Sequence, residues 1–320
     1  MQISCAFAPT LSTPDHIVLA ESLGYRRAWC YDSPSMYADV WMVLALAAER
    51  TSAIGLGPAV LVPALRHPMV NASAIATLAE LAPGRVAAAV GAGFTGRFTL
   101  GQRPMRWSDV AEYVEVLRAL LRGEEARWEG AIIKMMERPP TDVPLLIGAD
   151  GPKGRSVAAR LGDGVFASGR PAVGDDLPPW RGLLAFGTVL EGEELADDRV
   201  VDAAGHALAV VYHGAYERGG SEAVDRLPGG RTWRDTVEQV PAEQRHLAVH
   251  EGHLLRVTDR DRPAVMEGIG LLPSVTLTGE PAQLRERLAE WQNKGLTEIA
   301  YQPAGRDIPG ELRRFIAAVG

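Results

Sequence analysis

The sequence predicts a (β/α)8 barrel, and three observations carry that reading. Short apolar runs rich in β-formers alternate with longer segments of helical period, which is the pattern of a parallel α/β protein. Eight such strands are found, and 320 residues accommodate eight strand–helix pairs. Glycines and prolines gather where the strands end, at Gly57-Pro58, Gly91–Gly93, Gly148–Gly154 and Ser168-Gly169. A doubly wound open sheet is the alternative architecture for the same alternation.

Gln2–Ala8 reads as the first strand. The helix after it, from about Pro14 to Leu23, has Thr13 as its expected N-cap, proline at its first position and Gly24 as its stop. Ala28–Tyr31 is the second strand, with its helix at Val40–Arg50; Ile54–Leu61 is the third, with its helix at His67–Leu81. The fourth, Arg85–Val90, runs into Gly91-Ala92-Gly93. In Ser108–Leu121 the residues Val110, Val114, Leu117 and Leu121 recur at helical spacing, giving an amphipathic helix. Arg127–Lys134 reads as a small hairpin turning at Glu129-Gly130. Val143–Ile147 with the helix Ser156–Leu161, then Gly164–Ala167, then Leu183–Leu190 with a helix near Arg199–Tyr216 continue the alternation. Between Glu217 and Ser274 the period is poor, and Gly, Arg, His and acidic residues cluster. We read 217–274 as an inserted helical cap within a single 1–320 barrel domain. Pro281–Lys294 is a helix, Glu298–Gln302 the eighth strand and Gly310–Val319 the closing helix.

Hydrophobic residues make up 47% of the chain and charged residues 23%, with mean hydropathy −0.03. That composition excludes a mostly disordered, collagen-like or coiled-coil chain. Lys and Arg number 33 against 40 Asp and Glu, a net charge of −7. Duplex binders present a basic surface, so no nucleic acid is expected as a partner. Cys5 and Cys30 lie in apolar strand-like runs with no CxxC or Cys/His metal spacing, which predicts buried, reduced thiols. The start MQISCAFAP lacks a basic export region, and the most apolar stretch, Val40–Ala48, falls well short of the ~20 residues that span a bilayer. No membrane partner and a cytoplasmic location are therefore expected.

Barrel ligands bind at the carboxyl ends of the strands. Gly148-Ala149-Asp150-Gly151 opens a helix after the fifth strand, and Ser168-Gly169 follows the sixth, with Lys153 and Arg170 close by. Such glycines let backbone N–H groups approach a phosphate, and a helix start adds partial positive charge. The same glycines also serve plain tight turns, since neither loop is a Walker or GxGxxG motif. Gly57-Pro58-Ala59-Val60 and Gly91-Ala92-Gly93-Phe94 point to a bulge and close backbone approach beside a flat ligand. Arg66-His67-Pro68 also reads as a helix start capped by His67. His246 and His250 stand four apart, with His253 three further on. The HEGH spacing is not HExxH, and no metal is assigned, although a helix would put His246 and His250 one turn apart as a metal pair needs. That metal site, a hydrogen-bonded cap face and a substrate pocket are the competing readings. Trp29, Trp41 and Met42 read as packing, with Trp41 also a candidate to line substrate, and Tyr301 as a core residue with a satisfied hydroxyl. Arg97, Arg103 and Arg106 form a solvated loop or a groove for an anionic tail. Ser168 has no GxSxG context, so nucleophilic hydrolysis has no support.

These segments resemble the bacterial luciferase-like superfamily, in particular the branch that uses the deazaflavin coenzyme F420. The likeness runs through WCYDS (29–33), IGLGPAVLVPALRHP (54–68), TLAELAPGRVAAAVGAG (77–93), 109–130, 148–163 and 278–306. It covers most of 1–170 and 275–320, and its distinctive part is RHP followed by TLAELAPGRV. The resemblance implies a (β/α)8 barrel holding a flavin or deazaflavin at the strand ends. It implies a non-prolyl cis peptide at Ala59-Val60, forming a bulge behind a bent ring. It places Gly91 and Gly93 beside the coenzyme, the phosphate at Gly148, Ala149, Asp150, Gly151, Ser168 and Gly169, and Asp32 at the ring edge. His250 and His253 match a "heGH" segment of similar members and are the candidates for proton handling beside catalytic Asp32. Phe94 and Ser33 stand where some members carry Glu and His, so the acid/base pair of the sugar-phosphate dehydrogenase branch is absent, and Phe94 suits an apolar wall of the substrate pocket. The activity implied is hydride transfer between F420 and a small organic substrate. The alternatives are an FMN-dependent monooxygenase and a non-catalytic flavin-binding protein of the same fold, and a homodimer is expected.

Overall fold

A computed structural model of the protein describes all 320 residues, Met1–Gly320. Its strands are β1 (Gln2–Phe7), β2 (Arg27–Cys30), β3 (Gly55–Pro58), β4 (Ala88–Gly91), β5 (Ala126–Trp128), β6 (Ala131–Ile133), β7 (Leu145–Gly148), β8 (Gly164–Ser168), β9 (Trp180–Phe186) and β10 (Glu298–Gln302). Eight of them form one sheet in the order β3-β2-β1-β10-β9-β8-β7-β4, while β5 and β6 make the expected antiparallel hairpin. Parallel bridges Leu56–Val86 and Leu61–Val90 join the flanks of β3 and β4, the two ends of the sheet. An open doubly wound sheet leaves those edges apart, so the fold is the (β/α)8 barrel. β2, β3 and β4 are buried along their whole length, as strands covered on both faces are.

The chain divides into two compact units. The first comprises Met1–Arg97, Arg103–Leu184 and Trp291–Ala300, and so holds the barrel, with β9 as far as Leu184 and β10 as far as Ala300. Near the amino ends of its strands, buried Glu298 accepts the indole N–H of Trp29 at 3.0 Å and of Trp180 at 2.6 Å. The Arg27 guanidinium lies 5.2 Å from both indole ring centres. A carboxylate, a cation and two aromatic faces thus fill this end of the barrel, a structural arrangement away from the strand carboxyl ends. Cys5 and Cys30 are free and buried as expected, and burial pushes the Cys30 thiol up to about 12, which leaves it inert.

The second unit comprises Phe98–Gln102, Ala185–Glu290 and Tyr301–Gly320. Its core forms where the helix Asp198–Val224 packs Leu208 and Tyr212 against Trp233, Val265 and Leu272. The 217–274 stretch carries the helices Gly230–Glu238, Arg245–Val249, Arg262–Glu267 and Leu272–Val275. Tyr301 is buried with its hydroxyl donated to Gly187 O at 3.1 Å, as its sequence context predicts.

Four boundaries depart from expectation for identifiable reasons. Strand seven is Trp180–Phe186 rather than Leu183–Leu190, because Gly187 turns to φ 142° where a Cβ would meet Leu277 O at 2.3 Å. Strand three stops at Pro58, which has no N–H to continue the ladder. Thr13 does not cap its helix: Ser12 occupies that position, and the Thr13 hydroxyl accepts from Thr10 N–H at 2.8 Å instead. The helix near Arg199–Tyr216 runs on to Val224, with a break at Gly220 (φ 63°). No helix is long and apolar enough to cross a membrane.

His206, on the long helix of the second unit, is fully buried with neither ring nitrogen hydrogen-bonded, edge-on to Phe186 at 6.3 Å. Desolvation pulls its pKa down from 6.5 to about 4. The unfolded chain therefore binds the extra proton between those values, and stability present above pH 6.5 is lost as pH falls toward 4. Urea midpoints measured across that window are expected to fall with pH in the wild type and to fall less steeply in His206→Leu.

Candidate functional site

The barrel strands β2, β3, β4, β7 and β8 are joined by parallel pairings, so their carboxyl ends lie along one side of the sheet. Asp32, Ala59-Val60, Gly91–Phe94, Gly148–Gly151 and Ser168-Gly169 all follow those ends. The Ala59–Val60 peptide is cis, at the position the resemblance indicates. The Val60 side chain lies across two neighbouring strands. A Cβ added to Gly91 would stand 3.0 Å from Val60 Cγ2, and one added to Gly148 only 2.4 Å from Val60 Cγ1. Gly93, at φ 75°, makes the same room for Val62, at 2.6 Å. The three glycines therefore admit the valines of the bulged segment, and half-buried Val60 forms an apolar floor bounded by strands too small to cover it.

Asp32 is buried, with a side chain 1% exposed. Arg66 Nη1 donates to both its oxygens, at 2.7 and 2.6 Å, and Nη2 donates to Asp39 at 2.8 Å. Burial pushes the Asp32 carboxyl above its ordinary value, against the pull of Arg66. Asp39, pushed up by partial burial, is nevertheless held below its ordinary value by Arg66 and the Met42 and Trp41 amides that it caps. His67 caps the helix Pro68–Leu81 by accepting Met69 N–H at 3.1 Å. The Arg66 carbonyl accepts Tyr113 OH at 3.1 Å, Asn71 donates to Tyr113 at 2.8 Å, and Trp41 donates to Asn71 at 3.1 Å. Asp32 is accordingly a fixed, ion-paired carboxylate whose surroundings hold the RHP segment in place.

On the adjacent strand ends, Asp150 accepts both the N–H of Ser168 at 2.7 Å and its hydroxyl at 2.8 Å. Gly169 donates its N–H to Leu184 O at 3.3 Å. The two Ser168 donors brace the β7 and β8 loops against one another, and Gly169 ties the β8 loop to β9. The helix Pro152–Leu161 starts behind Gly151 with no side-chain hydrogen bond at its cap, and an uncapped helix start favours negative charge. Gly151 and Gly169 have no heavy atom within 4 Å of an added Cβ, and Lys153 and Arg170 are exposed. Ala149 is buried as packing for Gly154.

In the second unit, His250 and His253 are both buried, but their companion is His213 and not His246. His253 Nδ1 lies 3.1 Å from His213 Nδ1 and 3.4 Å from His250 Nδ1. Gly252, at φ 68°, makes the turn that folds His253 back on His250. His213 Nε2 meets Asp261 at 3.2 Å, and His250 Nε2 meets Glu217 at 3.3 Å. Burial, reinforced by the neighbouring imidazoles, holds His253 well below its ordinary pKa, and burial lowers His250 against the pull of Glu217.

The model of the luciferase-like monooxygenase family matches residues 10–298. The chain belongs to that family. The 5,10-methylenetetrahydromethanopterin reductase of Archaeoglobus fulgidus is 32% identical over 177 residues, 52% of each chain. The protein thus spans about half the length of that relative. An F420-dependent glucose-6-phosphate dehydrogenase of Intrasporangium calvum is 26% identical over 333 residues, covering 95% of this chain and 92% of the other. Among solved structures, the coenzyme F420 dependent tetrahydromethanopterin reductase of Methanopyrus kandleri superposes with a TM-score of 0.69 at 19% identity, over 99% of this chain and 98% of that one. At that identity the likeness establishes the fold.

Within this luciferase-like barrel, sequence reading placed Asp32 but missed its partners Arg66 and Asp39. It also missed His213, whose signal was an imidazole on the apolar face of a buried helix. Trp41 is half-buried with its indole N–H committed to Asn71, and Phe94 is half-buried ahead of the short helix Thr95–Phe98. Of the three arginines after β4, Arg97 donates to Arg103 O at 3.0 Å and Arg106 pairs with Asp109 at 3.0 Å.

Proposed function

We propose that this luciferase-like protein is an F420-dependent oxidoreductase that transfers a hydride between the deazaflavin coenzyme and a small organic substrate. The observation that carries the reading is the Val60 floor laid across Gly91 and Gly148, beside the uncapped helix start at Gly151. A flat apolar ring needs such a floor, and a phosphate needs free N–H groups with nothing in front of them; the residues present fit both. When bound, F420 supplies the hydride chemistry itself. The chain's own part is to bind and orient. Val60 supports the ring from behind, the helix start and Lys153 hold the phosphate, and Phe94 and Trp41 supply apolar and aromatic surface for the substrate. Asp32, fixed by Arg66, sets the charge at the ring edge. The Nδ1 atoms of His250 and His253 are turned on one another and on His213, and the proton-handling role expected of them from the sequence is left out of this reading. A cytoplasmic homodimer remains the expected form, which sedimentation of the purified protein checks.

Anaerobic assays with oxidised and reduced F420 against secondary alcohols, sugar phosphates and activated alkenes test the reading through the deazaflavin absorbance. Turnover with one of these classes is expected. Oxygen consumption with reduced FMN and no F420 turnover would place the protein with the monooxygenases instead. Asp150→Ala, which unties the two phosphate loops, is expected to weaken F420 about 10-fold, or ~1.4 kcal/mol. Its melting temperature should stay near wild type, because Asp150 is exposed.

A further inference from the structure

We infer that His213, His250 and His253 form a binding site for one divalent transition cation of the zinc class. The site belongs to the second unit and stands apart from the redox reading above.

Each of the three rings offers a nitrogen that lies within 4.8 Å of the other two. Two Nδ1–Nδ1 separations are 3.1 and 3.4 Å. Zinc–imidazole bonds of about 2.0–2.1 Å in a tetrahedron put ligand nitrogens about 3.3–3.4 Å apart. Two of the three separations already have nearly that spacing.

His213 Nε2 faces Asp261, and His250 Nε2 faces Glu217. A carboxylate on the far nitrogen fixes the tautomer that leaves the Nδ1 lone pair facing inward, which is how metal-ligating histidines are oriented. Asp261 is itself held by Trp233 Nε1 at 2.7 Å and by the Thr258 hydroxyl at 2.7 Å. The rings are clamped as well: Trp233 stacks on His213 at 5.7 Å, and Phe98 stacks on His250 at 5.9 Å. Leu254, next to His253, adopts φ 59°, rare for a branched residue, with its carbonyl accepting Gln302 Nε2 at 2.7 Å. Three imidazoles without thiolate suit zinc, cobalt(II), nickel(II) or copper(II) rather than calcium or magnesium, and leave a fourth position for water or an anion.

The test uses the full-length protein, stripped with a chelator and titrated with zinc chloride by calorimetry, with cobalt(II) absorbance as a second readout. One zinc per chain is expected, together with the visible bands of tetrahedral cobalt. His250→Ala and His253→Ala are each expected to abolish both signals. Asp261→Asn, which keeps a polar group of the same shape, should weaken binding about 10–100-fold. His246→Ala, on the same segment but outside the cluster, should bind like wild type. Circular dichroism confirms that each variant is folded. Absence of stoichiometric binding by the wild type, or binding that survives in both His250→Ala and His253→Ala, overturns the inference and leaves the cluster as hydrogen-bonded packing.

Discussion

Arg66→Ala is expected to destabilise the protein by about 3–5 kcal/mol, the usual cost of removing one partner of a buried ion pair. Asp32 is the reason: its side chain is 1% exposed, that of Arg66 is 14% exposed, and both Asp32 oxygens accept from the one guanidinium nitrogen. Without Arg66 the carboxylate is buried and unpaired, and its pKa, already raised by burial, rises further. A group whose pKa is raised on folding favours the folded state at low pH and loses that contribution as pH increases. The deficit of Arg66→Ala should therefore be largest at neutral pH and shrink on acidification. Adding Asp32→Asn removes the stranded charge and is expected to recover more than half of the loss. Urea denaturation of the three variants reads this directly. A double variant no more stable than Arg66→Ala would show that Arg66 acts through something other than Asp32.

Gly57→Ala is expected to prevent folding of the barrel, with little soluble protein and a cost of at least about 4 kcal/mol in any that is recovered. A Cβ on Gly57 would sit 1.8 Å from the carbonyl oxygen of Ala87, and this obstacle is backbone, not a movable side chain. The clash falls where β3 meets the segment leading into β4, between the two bridges that close the sheet. Gly270→Ala is the matched control: no heavy atom lies within 4 Å of its added Cβ, so a change within about 0.5 kcal/mol is expected. Comparable expression and melting temperature for the two variants would contradict this account of the closure.

The alternation of strands and helices was readable because each element rests on local pattern, and so was the hairpin turn, where Glu129 and Gly130 take φ 48° and 84°. The bulge at Ala59-Val60 was reached through the family resemblance rather than through the residues alone. The glycines at Gly91 and Gly148 were seen, but their job was not. That job depends on Val60, which arrives from another strand, so no local rule reveals it. Arg66 stood out in its motif, yet its partner lies 34 residues away. The histidine cluster was only partly legible for a related reason. Spacing drew attention to His246, His250 and His253, whereas the turn at Gly252 and a helix 40 residues from His253 bring His213, not His246, beside the other two. Strand seven was displaced because apolar alternation continues past Gly187, while the backbone turns there.

On the proposed reading, the strand carboxyl ends of this luciferase-like barrel hold F420. Parallel titrations of the purified protein with oxidised F420 and with FMN at one fixed salt concentration, followed by tryptophan quenching, test it most directly. Saturable F420 binding at least 10-fold tighter than FMN, a gap of ~1.4 kcal/mol or more, is expected, and it is expected to weaken in Asp150→Ala. FMN binding tighter than F420, or binding of neither, would contradict it.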